Sequence, residues 1–99
     1  MTLTTTLMRR AMCAVLNARV QLLHARLHVL RSTLDAARAR VTLKVVTTLM
    51  ARERTLTKAV AKLALAGAAT WGRTQGRLEA RVAALEAAVH AAESRFRAG

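Results

Sequence analysis

The 99-residue chain has no proline, tyrosine or isoleucine, its only Phe, Trp or Tyr residues are Trp71 and Phe96, and glycine occurs only at 67, 72, 76 and 99. Without proline, no residue is intrinsically unable to continue a helix, and the dominant residues, Ala, Leu and Arg, are good helix formers. The scarcity of large rigid rings argues against a shaped small-molecule pocket and so against an enzyme. A single cysteine, Cys13, excludes an internal disulfide and fits a reducing compartment. Its neighbours Ala11, Met12, Ala14 and Val15 mark it as a small core-type residue. Long apolar runs are missing too. The longest uncharged stretches are Ala11 to Ala18 and Leu63 to Gly72, well short of the roughly 18 apolar residues that a membrane span requires. Arg9 and Arg10 precede an apolar stretch that Asn17 and Arg19 interrupt, so no secretory signal is expected. These absences predict an intracellular or virion-associated protein with no signal peptide or transmembrane helix.

What is present is a run of apolar residues spaced alternately three and four apart. The first series is Leu16, Val20, Leu23, Leu27, Leu30, Leu34, Ala37 and Val41; it resumes at Leu56, Val60 and Leu63 and returns as Leu78, Val82, Leu85, Val89, Ala92 and Phe96. Only a helix lines those spacings into one narrow stripe, the seam of a coiled coil or helical bundle. The expected fold is a single all-α domain over 1–99. A long N-terminal helix over about 4–66 starts among Thr2, Thr4, Thr5 and Thr6, which can cap it. The β-branched stretch Val41 to Thr48 and a slip in apolar phase there predict a bend near 42–48. Three glycines in ten residues predict a turn over 67–76 with Trp71 plugging the hairpin tip, then a shorter helix over about 77–97. A chain this short buries a modest core, so oligomerisation through the seam is the expectation.

Charge is lopsided. The net charge is +12, and residues 1–76 carry thirteen Lys or Arg against only Asp35 and Glu53. A field of that sign attracts nucleic acid, anionic lipid or an acidic protein surface. The first-helix cations expected to meet a polyanion are Arg9, Arg10, Arg19, Arg26, Arg31, Arg38, Arg40 and Lys44.

With Val20 and Leu27 at heptad position a, position c is also apolar (Met8, Val15, Leu22, Val29, Ala36, Leu43), and Arg19, Arg26 and Arg40 fall at g between the two columns. Such a helix is suited to more than one neighbour. Glu79, Glu86 and Glu93 form an acidic line at e of the last helix, whereas His24, Arg31 and Arg38 occupy e of the first. Antiparallel helices bring like edges together, so the two lines are expected to pair either between subunits or across a folded bundle, with Arg52, Lys58 and Lys62 competing in a simple hairpin. His24 and His28, one turn apart, have zinc-ligand spacing but no third ligand within reach, and His90 is solitary. No phosphate loop, cysteine pair or nucleophile with a base is evident. No metal and no cofactor is expected.

In size and composition the chain resembles accessory structural proteins of phage particles and bacterial nucleoid-associated helical proteins, a likeness carried by no motif. The resulting expectation is a non-enzymatic assembly protein. It self-associates or docks through its heptad stripes and engages a polyanion, non-specific nucleic acid or an acidic protein surface, in a virion or nucleoprotein assembly. The alternative is a peripheral membrane or granule-surface amphipathic protein.

Overall fold

A computed structural model describes the backbone of residues 2–37 and 40–98, and the side chains of residues 4–33 and 43–95. Three helices account for nearly all of it: α1 (Thr2–Ala37), α2 (Arg40–Ala64) and α3 (Ala68–Ala98). They pack as an up-down-up bundle with extents of 54 × 17 × 17 Å. At 1.5 Å per residue the 36 residues of α1 span about 54 Å, so α1 alone sets the length of the molecule.

The N-terminal helix expected to run to about 66 is therefore two helices, with the boundary at 37–40 and not at 42–48. The β-branched stretch lies within α2, where Thr47 and Thr48 hydroxyls donate to the Leu43 and Lys44 carbonyls one turn back. The phase slip is real, but it marks the passage from one helix to the next. Within α2 the buried positions Val46, Leu49, Glu53, Leu56, Val60 and Leu63, with Met50 beside them, make an unbroken three-four series in which a carboxylate occupies one seam position.

The expected connector over 67–76 is also mostly helix. Leu65 N donates to Lys62 O and Ala66 N to Leu63 O, both at 3.1 Å, tightening the end of α2. The Gly67 carbonyl then accepts from Trp71 N at 2.9 Å, the first bond of α3, which places Gly67 at the N-cap. Gly72 and Gly76 lie inside α3. Trp71 lies in the first turn of α3 and not in a loop. It stands seven residues before Leu78 on the seam of α3, half-buried against the core.

Leu16, Val20, Leu23, Leu27 and Leu30 of α1, Leu56, Val60 and Leu63 of α2, and Leu78, Val82, Leu85 and Val89 of α3 form one buried cluster. The stripes expected to meet other subunits meet one another within a single chain. Each buried Leu or Val contributes about 1.5–3 kcal/mol relative to exposure, enough collectively to outweigh the ordering of two short turns. Leu34, Val41 and Phe96, also assigned to the seam, have side chains outside the described residues.

A Cβ placed on Gly72 or Gly76 meets nothing within 4 Å. Gly72→Ala and Gly76→Ala should therefore each stabilise the protein by about 0.5–1 kcal/mol, read as a higher midpoint in thermal circular dichroism. Destabilisation by either would mean that these residues form a turn.

Candidate functional site

Two turns place α1 parallel to α3, and the ion pairs follow from that. Arg19 Nε and Nη2 donate to Glu86 Oε2 and Oε1 at 3.0 and 2.5 Å. One heptad on, Arg26 Nε donates to Glu93 Oε2 at 3.2 Å, and its Nη2 donates to Oε1. Both are two-point guanidinium-carboxylate pairs with the same 67-residue offset, the g-to-e pairing of parallel helices. Within the chain, Glu86 and Glu93 thus pair with Arg19 and Arg26 across parallel helices, and not with His24 or Arg31 in an antiparallel arrangement. Arg31, Arg52, Lys58 and Lys62 make no ion pair among the described residues, and Arg38 lies outside them. Hydrogen bonding from Arg19, aided by its charge and opposed by desolvation, holds the Glu86 carboxyl below its usual range. The partner effect raises the Arg19 and Arg26 guanidinium values, hydrogen bonds to Glu86 and Glu93 being the largest cause.

Two of the eight cations assigned to a polyanion are therefore committed inside the chain. Arg9 is a third with a neighbour: its guanidinium lies 5.4 Å from the centroid of the Trp71 ring, within cation-π range. Arg10, Arg31 and Lys44 are exposed, while the Arg40 side chain is outside the described residues.

His24 finds its carboxylate on α2. Its Nδ1 lies 3.2 Å from Glu53 Oε1, and the Thr57 hydroxyl donates to the same oxygen at 3.3 Å. Glu53 is only 5% exposed. His24 and His28 rings meet edge to face with centroids 4.7 Å apart. Among the described residues no three His, Cys, Asp or Glu side chains converge as metal ligands. Glu53 escaped the sequence reading because a charged residue breaks an apolar series. The signal was present in the spacing, since 46, 49, 53, 56, 60 and 63 keep the three-four rhythm only when Glu53 is counted.

A cleft of about 610 Å³ opens between the start of α1, the end of α2 and Trp71, lined by small side chains that include Cys13, Ala61, Ala64 and Ala66. Thr6, Arg9, Arg10, Asn17 and Thr57 supply its polar groups. No imidazole or carboxylate lines it, so it holds no general acid or base of ordinary pKa. Burial raises the Cys13 thiol, keeping it protonated and a poor nucleophile at neutral pH.

The outer face of α1 is the more unusual feature. Met8, Val15, Leu22 and Val29 lie there, all well exposed, with Leu22 at 60% and Val29 at 68%. Exposed Ala11, Ala18 and Ala25 alternate with them, completing a second three-four series outside the buried seam, and Met8, Ala11 and Val15 border a groove shared with Gln75 and Glu79 of α3. Among the described residues no helix is long and apolar enough to cross a membrane.

Because the Glu86 carboxyl is depressed in the folded state, the unfolded chain binds more protons near pH 4, and stability rises with pH through that range. Glu86→Gln should destabilise by about 0.5–1 kcal/mol at pH 7, a deficit that vanishes as pH falls through the folded value. Urea melts at pH 7 and 3 test this, and a deficit that persists in acid would contradict it. Glu53→Leu should raise stability by about 1 kcal/mol or more, since a buried carboxylate gives way to a seam-filling side chain and leaves only an exposed imidazole unpartnered. A fall in denaturation midpoint would show that the His24 contact outweighs desolvation.

No protein-family model, curated protein or solved structure matches the chain.

Proposed function

We propose that the protein is a non-enzymatic helical assembly protein, a component of a virion or other nucleoprotein assembly, that self-associates through the outer face of α1 and engages a polyanion through exposed Lys and Arg. The observation that carries this reading is what remains on the surface once the bundle has closed. The core seam is consumed internally, yet α1 retains an exposed apolar series from Met8 to Val29. A second copy laid antiparallel about a two-fold axis near Ala18 would set Val15 against Leu22, Met8 against Val29 and Ala11 against Ala25. Large opposite large with alanine between permits close helix approach over about three turns on either side of the axis.

Two chains of charge +12 repel each other, so a polyanion shared between copies would favour assembly as well as binding. That links the two halves of the proposal. The original seam residues do not serve here: Leu27 and Leu30 are buried in the bundle, so charging them would unfold a monomer instead of dissociating an oligomer.

Size-exclusion chromatography with light scattering and absorbance at 260 and 280 nm, in low and high salt, tests the reading. The wild type should elute as a dimer or larger, carrying nucleic acid at low salt and shedding it at high salt. Val15→Gln with Leu22→Gln should give a monomer of unchanged helicity, since both sites are exposed. A wild-type monomer at every salt concentration contradicts self-association. A nucleic-acid-free species that floats with anionic vesicles would replace the proposal with the peripheral-membrane alternative.

A further inference from the structure

The glutamates of α3 all point one way. Glu79, Glu86 and Glu93 recur at seven-residue spacing, and the latter two face α1. Glu53 is buried toward His24. Along the other edge of α3, where it packs antiparallel to α2, there is no acid among the described residues. At mid-length on that boundary Arg52 of α2 and Arg81 of α3 line one cleft of about 260 Å³, with Thr48, Ala51, Thr55 and Leu56 completing it.

Two guanidinium groups sharing a cleft without a carboxylate repel each other, whereas antiparallel helices ordinarily set opposite charges at that edge. The same chain does so between α1 and α3. The Thr48 and Thr55 hydroxyls donate back to the Lys44 and Ala51 carbonyls, both at 3.1 Å. They leave the two guanidinium forks as the donors that face solvent, a pair suited to the oxygens of a phosphodiester.

The pattern extends in both directions. Lys62 follows Thr48 and Thr55 at seven-residue spacing on α2, and Arg95 lies two heptads beyond Arg81 on α3. Because the helices are antiparallel, these lie on opposite sides of the cleft, about 15 and 21 Å along the helix axes. The row thus spans about one turn of duplex. We infer that the α2/α3 edge is a duplex nucleic-acid backbone site centred on Arg52 and Arg81, with Lys62 and Arg95 flanking. This rests on the polyanion reading above and relocates it from α1. A duplex is favoured over single strands because no aromatic ring stands beside Arg52 and Arg81. It is favoured over a bilayer because the cleft offers threonine and alanine, while the exposed Met8, Val15, Leu22 and Val29 lie on α1.

Fluorescence anisotropy with a labelled duplex of about 20 base pairs, titrated with the full chain between about 50 and 200 mM salt, tests the assignment. Arg52→Gln with Arg81→Gln should weaken binding about 10-fold or more at low salt. It should also reduce the slope of log affinity against log salt by about 1.8, the value for two lost phosphate contacts. Its melting temperature should equal or exceed that of the wild type, since repulsion is relieved. Arg10→Gln with Arg31→Gln removes the same charge from α1 and should weaken binding no more than about 3-fold, the effect of net charge alone. Equal losses in the two variants would overturn the α2/α3 site while leaving polyanion binding intact. No duplex binding by the wild type at low salt, or binding only to vesicles of phosphatidylglycerol and phosphatidylcholine, would overturn both.

Discussion

A narrow apolar seam on a helix has to be covered, and this chain carries three of them. Each is one or two side chains wide, so no helix can bury its own, and two helices together would leave the third exposed. α1, ending at Ala37, and α2, starting at Arg40, run antiparallel, the chain reverses again between Ala64 and Ala68, and the three seams close on a common axis. Other features follow from that closure. The up-down-up path makes α1 and α3 parallel, and parallel packing brings g of one against e of the other. Arg19 and Arg26 thereby meet Glu86 and Glu93. Partly exposed pairs of this kind contribute modestly individually, but two in the same register disfavour a shift of α3 along α1.

The same closure sorts the surface. Among the described residues the acidic side chains of α3 that form ion pairs, Glu86 and Glu93, go to the α1/α3 edge, and Glu53 goes to the α1/α2 interior. Among the described residues the α2/α3 edge carries cations and no acid, and α1 keeps an exposed apolar series whose Met8 and Val15 border a groove shared with Gln75 and Glu79 of α3. A helical protein built only to be soluble would intersperse both signs and leave no such series. These two faces, one cationic and one apolar, are the surfaces on which the proposed phosphate backbone and the proposed second helix would lie.

Helix, seam and polarity were legible in the residues because each depends on local period. The seam positions from Leu16 to Leu30, Leu56 to Leu63 and Leu78 to Val89 are all buried as their spacing implies. The turns were harder to read. No glycine or proline marks 35–40, so the first reversal is fixed by which seam residues match across α1 and α2, a long-range property. His24 opposite Glu53 reports that match. At the second reversal the glycines misled in the opposite direction. Gly67 alone sits at the cap, whereas Gly72 and Gly76 are carried within a helix that Trp71 and Leu78 hold against the core. The ion pairs could not be assigned before the turns were, since one missed reversal exchanges parallel for antiparallel edges. Apolar position c was visible, but its exposure depended on knowing that the main seam is satisfied within one chain.

The central claim is that the seams close within a single chain, and X-ray scattering extrapolated to zero concentration tests it most directly. The bundle has a Cα radius of gyration of 15.9 Å, so the monomer should scatter close to that value once hydration is included. A helix unbroken over about 60 residues would be about 90 Å long, with a radius of gyration near 25 Å. A monomer of that size would contradict the account, because its seams would then be open and waiting for other subunits.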